Sequence, residues 1–301
     1  MRSHSYIKNS KNDNIFININ GKLLPRNEAK ISVFDSGFLL GDGIWEGIRL
    51  HNNILVFIND HLERLYKSAE GISLKIPFTK KEIIQEINKV LLKNNMTNDI
   101  HIRLIITRGD KITPYQNPNA NLGPINYVII PEHKKTSPNV YTEGIVIGRV
   151  SNIRPNGNIL DPRFNTLSKL NCILASIEAN KLKFDEGIMN DLYGNVSTCN
   201  STNLFFIQNN EVWTSTGEYC LNGITRKKTI EVCHNNDIIC KEFDFSFDEI
   251  SNCDEAFVTG TFAGIIPVRK IENRLLKSVN KDSMVNKIRK LYNKKILEST
   301  N

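Results

Sequence analysis

Apolar positions along the first sixty residues recur with the short period of β-structure. Ile15 to Ile19 and Lys22 to Leu24 are two β-rich runs joined by Asn20-Gly21, the strongest short hairpin signal. A second hairpin is expected from Ile44 to Leu50, through Asn52-Asn53, to Ile54 to Ile58. Helical periodicity then takes over at Asp60 to Ala69 and from Thr79 to Leu92, where Ile83, Ile84, Ile87, Val90 and Leu91 fall on one face. Thr79 with Glu82 has the spacing of a capping box. Strands return at Ile100 to Thr107 and Ile125 to Ile130.

Pro131 to Glu143 is polar and reads as a linker. Beyond it the pattern predicts a strand at Ile145 to Val150 and a helix at Ser168 to Lys181. Leu167, Leu170, Ile173, Leu174 and Ile177 are expected to form the buried stripe of that helix. Further strands reach Trp213 with an Asn209-Asn210 turn. A helix from Thr225, a strand at Glu255 to Thr259 and a closing helix near Asp282 to Leu297 complete the chain. The mixture predicts an α+β fold of mostly antiparallel strands with flanking helices. Its expected organisation is a flexible segment 1–14, a smaller α/β domain 15–130, the linker 131–143 and a larger domain 144–301.

Composition narrows the functional classes. At 301 residues with 40% hydrophobic and 24% charged residues the chain can bury a substantial core. The net charge of +7 comes from scattered lysines rather than a basic block, which argues against a nucleic-acid partner. No apolar run approaches the roughly 20 residues of a membrane span. The opening segment Met1 to Asn14 lacks an apolar signal core, so a cytoplasmic protein is expected. The six cysteines contain no Cys-x-x-Cys pair and lie far from the histidines, so free thiols and no metal site are expected.

Six separated motifs carry a family resemblance. Gly41-Asp-Gly43-Ile-Trp45-Glu46, His61-Leu-Glu-Arg64-Leu65, the segment Asp161 to Ala179, Val196-Ser-Thr198 through Asn203-Leu-Phe, and Gly223-Ile224-Thr225-Arg226 followed by Thr259-Gly-Thr261-Phe262-Ala263 stand in that order. Together they resemble the class IV aminotransferases, the fold type IV enzymes of pyridoxal 5'-phosphate (PLP), over about Ile15 to Val268. The resemblance implies the two-domain D-amino-acid aminotransferase-like fold, PLP as cofactor, amino acids and 2-oxo acids as substrates, and a homodimer. Branched-chain or D-amino-acid transamination is the activity it suggests first. The alternative is a scaffold of this fold with PLP-independent or other chemistry: a lyase, a racemase or a non-catalytic ligand binder.

Carried over residue by residue, the resemblance makes Arg64, Gly223, Ile224, Thr225 and Thr261 the binders of the PLP phosphate. A guanidinium and the amides of a helix start both suit a dianion. Trp45 and Arg103 fall in the substrate pocket, and the Phe262 amide holds the substrate carboxylate. Plainer readings stand beside these: Arg64 paired with Glu63 or Asp60, Gly223 to Thr225 as a capped turn, Trp45 as packing, and Arg103 as a salt-bridged strand residue.

Two positions depart from the family. Asn165 stands where the PLP-binding lysine is expected, and Thr198 where a glutamate meets the pyridine nitrogen. An amide forms no imine and shuttles no proton, whereas a lysine does both. Lys169, four residues on and one helical turn away, is the candidate to take over the attachment of PLP. It has two other readings: a snorkelling surface side chain, or a charge that neutralises the cofactor phenolate. A hydroxyl at position 198 is expected only to hydrogen-bond a neutral ring nitrogen, which weakens the electron sink.

Overall fold

A computed structural model describes residues 8–299. They divide into two compact units, one of residues 8–135 with 164–168, the other of residues 136–163 with 169–299.

The first unit is built on a six-stranded sheet with the order β2-β1-β6-β5-β3-β4, every pairing antiparallel. Its elements are β1 (Phe16–Ile19), β2 (Lys22–Pro25), α1 (Ser36–Leu40), β3 (Gly43–His51), β4 (Ile54–Leu55), α2 (Ile58–Gly71), α3 (Lys80–Lys93), β5 (Ile100–Thr107) and β6 (Asn126–His133). Both hairpin turns take the backbone their residues favour: Asn20 and Gly21 have φ 50° and 84°, and Asn52 and Asn53 have 49° and 62°. Thr79 and Glu82 form the reciprocal capping box at the start of α3. Ile83, Ile87, Val90 and Leu91 are buried with α2's Leu62 and Leu65 against the inward residues of β3 and β5.

Gly41-Asp42-Gly43 is architectural. Gly41 ends α1 at φ 69°, a left-handed conformation that favours glycine. A Cβ on Gly43 would lie 2.6 Å from the Ile106 carbonyl oxygen. Between them, Asp42 receives both Nε and Nη2 of Arg108, at 2.8 and 3.0 Å.

The second unit carries a nine-stranded sheet with the path β12-β11-β10-β13-β14-β7-β8-β9, β15 pairing with β14. Its elements are α4 (Asn139–Glu143), β7 (Ile145–Arg149), α5 (Gly157–Leu160), α6 (Leu170–Lys181), β8 (Glu186–Asn190), β9 (Val196–Cys199), β10 (Asn203–Gln208), β11 (Glu211–Thr214), α7 (Ile224–His234), β12 (Cys240–Glu242), β13 (Glu255–Gly260), β14 (Gly264–Ile271), β15 (Arg274–Leu275) and α8 (Met284–Glu298). The pairs β11 with β12, β14 with β7, and β7 with β8 are parallel, the rest antiparallel. The α+β class with mostly antiparallel strands holds across both sheets.

Three expectations are corrected. The first concerns residues 1–14: 1–7 lie outside the described residues, but 8–14 are anchored. Ser10–Asn12 form a 3-10 turn, and the Asn12 side chain accepts from His133 N at 2.7 Å and donates to its carbonyl at 3.0 Å. Paired amide side chains give this polar segment partners that a hydrophobicity pattern does not register.

The linker 131–143 is also partly regular. Residues 131–133 finish β6 and Asn139–Glu143 form α4. Pro131 is tolerated in the strand because β1 pairs with β6 only at Val128 and Ile129, so no strand partner on that side calls for its missing N–H, and Val140 buries its side chain.

The third correction is the face of α6. Leu170, Ile173, Leu174 and Ile177 are exposed, by 66, 52, 45 and 45%, while Ala175 and Ala179 are buried. Alanines bring the helix close to its sheet: a Cβ on Gly187 of β8 would lie 3.3 Å from that of Ala179. The close-packing face is the small one, and the bulky stripe faces away from it.

Candidate active site

The motif residues assemble into one cluster in each unit. In the first, Glu46 on β3 is the electrostatic centre. It is fully buried and receives Nε and Nη2 of Arg64, both at 2.8 Å, and shares a 2.7 Å hydrogen bond with Nδ1 of His61. His61 and Arg64 are one turn apart on α2, so both reach the same carboxylate. Burial alone would raise the Glu46 carboxyl, but the Arg64 charge and the hydrogen bonds from Arg64 and His61 outweigh it, holding the pKa down to about 2. Glu46 is therefore a partner of Arg64 that the sequence reading did not name.

The preceding residue, Trp45, stacks under Arg103. The guanidinium carbon lies 3.7 Å from the ring centroid, a cation–π pair between the adjacent strands β3 and β5. Burial lowers the Arg103 pKa, opposed by the charges of Glu132 and Glu46. The Trp45 indole N–H donates to the Thr166 carbonyl at 3.1 Å.

Asn165 belongs to this cluster. Its amide N–H donates to Ser68 Oγ at 3.0 Å, its carbonyl accepts from Trp45 N at 3.0 Å, and its Nδ2 donates to the Trp45 carbonyl at 2.6 Å. The side chain thus extends the backbone pairing of β3. Its Oδ1 is buried without a hydrogen-bond partner among the described residues. No amine stands at this position and the side chain is pinned, so the residue does not fit covalent attachment of PLP.

The second unit gathers the remaining motifs. Gly223 is the N-cap of α7 with no side-chain cap, which leaves the first-turn amides to another acceptor. Gly223 abuts Asn203, whose Oδ1 would lie 2.3 Å from a Cβ there, and Asn203 is the register partner of Thr259. Thr225 is buried beneath, within 3.5 Å of the Tyr292 hydroxyl. Thr259 leaves a buried hydroxyl with no partner among the described residues, two positions before Thr261 in the β13–β14 turn. Phe262 is buried in the core of the unit. Bare helix amides, an orphaned hydroxyl and a threonine turn suit an anion such as a phosphate, so this end fits PLP.

Thr198 and Thr202 join the same cluster. Thr198 Oγ1 donates to the Thr202 carbonyl at 2.8 Å, and Thr202 Oγ1 donates to Glu186 at 2.6 Å. Lys169 is the N-cap of α6 and is half-buried.

One residue escaped the sequence reading. Arg154 is 7% exposed and donates to the Tyr219 carbonyl, to Asn171 Oδ1 at 3.1 Å and to Cys172 Sγ at 3.0 Å. Among the described residues no carboxylate balances this buried cation in those bonds. A single arginine in Asn152-Ile-Arg154-Pro carries no periodic or motif signal; only burial marks it.

Sheet order, helix placement and these two clusters define a class IV aminotransferase fold. Residues 43–271 match the family of amino-transferase class IV. The branched-chain-amino-acid aminotransferase-like protein 2 of Arabidopsis thaliana is 34% identical over 278 residues, 92% of this chain and 49% of the relative. The chain spans about half the length of the two Arabidopsis relatives it matches. A putative branched-chain-amino-acid aminotransferase of Methanocaldococcus jannaschii is 32% identical over 277 residues, 92% of this chain and 94% of that protein. The crystal structure of the branched-chain aminotransferase from Thermoproteus uzoniensis with norvaline is similar at a TM-score of 0.85 and 26% identity, covering 96% of each chain. The chain belongs to the class IV aminotransferase family.

Proposed function

We propose that the protein is a PLP-dependent aminotransferase that moves amino groups between amino acids and 2-oxo acids, branched-chain substrates first. The observation that carries this reading is the family match over residues 43–271, which takes in the motifs of both clusters. The names of the Arabidopsis and Methanocaldococcus relatives favour branched-chain over D-amino-acid substrates. When bound, PLP supplies the carbonyl and electron sink that accept the amino group.

Gly223, Ile224 and Thr225 at the start of α7, with Thr261, hold the phosphate. Arg64 contributes a guanidinium that Glu46 fixes in one orientation. Trp45 and Arg103 shape the substrate side, the Phe262 amide takes the substrate carboxylate, and Asn165 holds Trp45 rather than the cofactor aldehyde. Lys169 supplies the amine for attachment and proton transfer. Its support is the lack of an amine at position 165 and its half-buried place four residues on, at the start of α6; residues 165 to 169 are not helical, so the spacing itself adds nothing.

The chain works as a cytoplasmic homodimer in this reading. The six thiols are all free, as a reducing compartment keeps them. The exposed stripe of α6 gives a second copy an apolar face to cover.

Incubation with PLP, borohydride reduction and peptide mass spectrometry test the assignment. The expected result is a phosphopyridoxyl group on Lys169, with transamination of branched-chain amino acids by the untreated protein. Modification of another lysine removes Lys169 from the mechanism; absence of both binding and turnover removes the aminotransferase.

A further inference from the structure

The hydrogen bond of Thr198 changes what this residue can offer a ligand. A carbonyl oxygen has no proton, so the hydrogen in the 2.8 Å contact with the Thr202 carbonyl comes from Thr198. A hydroxyl has one proton, and this one is committed; what remains of Thr198 Oγ1 is lone pairs. The geometry therefore reverses the sequence-based expectation of a hydroxyl that donates to a neutral ring nitrogen.

The commitment is built into the turn. Thr202 sends its own hydroxyl to the buried Glu186 at 2.6 Å, and its carbonyl also accepts Cys199 N at 3.0 Å. Asn200 clasps the turn to β8, its Oδ1 accepting from Gly187 N at 2.7 Å and its N donating to the Gly187 carbonyl at 3.1 Å. The Thr202 carbonyl is held where it is by four hydrogen bonds, so Thr198 has a fixed acceptor for its proton.

We infer that Thr198 meets the cofactor's ring nitrogen as an acceptor only, that the site consequently selects the N-protonated ring, and that Glu186 and Thr202 are the positioning residues that impose this. The inference rests on the PLP reading above, in which position 198 faces the ring nitrogen. A neutral pyridine would present its lone pair to the lone pairs of Thr198, which is repulsive. A protonated ring presents an N–H and gains a charge-assisted bond. The chain thereby keeps the polarity of the family's glutamate without its charge: the ring stays an electron sink, but its proton is held by a neutral oxygen and is lost more readily as pH rises.

PLP labelled with ¹⁵N in the ring and bound to the full chain provides the test. The expected nitrogen chemical shift at neutral pH is that of a pyridinium, moving to the neutral value at lower pH than in glutamate-bearing relatives. Thr198→Ser should keep the pyridinium shift. Thr198→Val should move it toward neutral pyridine and weaken PLP binding by about tenfold, the worth of one charge-assisted hydrogen bond. A neutral shift for bound PLP in the unaltered chain overturns the inference and leaves the aminotransferase assignment standing. Failure of PLP to bind in a parallel absorbance titration overturns both. Should Thr198→Val not fold, the pH dependence of PLP affinity in the unaltered chain decides: affinity that falls with rising pH supports acceptor-only binding, and affinity that rises sinks it.

Discussion

Single residues in this chain act through the partners they leave or keep. Glu46 is fully buried and bonded to both Arg64 and His61, so Glu46→Gln removes the charge that both side chains meet. Breaking such a buried pair costs about 3–5 kcal/mol, read as a lower urea midpoint. The carboxyl's pKa is depressed from 4.5 to about 2, so its contribution is complete above the unfolded value near 4.5 and is lost as pH falls toward 2. At ~1.4 kcal/mol per tenfold change this amounts to roughly 3 kcal/mol. Urea unfolding from pH 5 to pH 2 should show that loss in the unaltered chain and a shallower one in Glu46→Gln. Asn165→Ala removes the donor to the Trp45 carbonyl but also an orphaned Oδ1. Its expected cost is therefore only about 1 kcal/mol. A loss several times larger would mean that Asn165 does more than hold β3.

Elements show where pattern reading succeeds and where it fails. The first hairpin, the Asn52-Asn53 turn of the second and the capping box of α3 were legible because each depends on residues adjacent in sequence, whereas the second hairpin's returning strand stops at Leu55 and Ile58 already starts α2. Thr79→Ala should cost about 1 kcal/mol of stability by chemical denaturation. The orientation of α6 was not legible: it offers an apolar stripe and an alanine face, and periodicity cannot say which meets the sheet. Ala175→Leu tests the observed arrangement, because added volume against β8 should cost about 1–3 kcal/mol. A neutral result would show that Ala175 does not pack closely.

At the scale of the molecule, the exposed face of α6 is the feature a single copy does not explain. If a second copy covers it, Ile173→Asp leaves the far-ultraviolet circular dichroism unchanged and lowers the mass by sedimentation from dimer to monomer. A dimer that persists in Ile173→Asp and in Ile177→Asp places the interface elsewhere. The candidate site follows the same division. Its motifs were readable in order, because glycine turns, a His-x-x-Arg helix and a Thr-Gly-Thr turn are local. Their chemistry was not: Arg154 had no signal, and the proton of Thr198 had no assigned direction.

The sequence by itself determined the two runs of secondary structure, the family and the two missing groups at positions 165 and 198, since each is a statement about residue identity at short range. Only the tertiary structure decided that Asn165 is bound to the β3 backbone, that Glu46 holds Arg64, and that Thr198 already donates its one hydroxyl hydrogen to the Thr202 carbonyl. Those outcomes depend on donors and acceptors brought together from 4 to 120 positions apart. Hydrogen bonding is directional and saturable, and the remaining capacity of each group is set by neighbours that folding alone supplies.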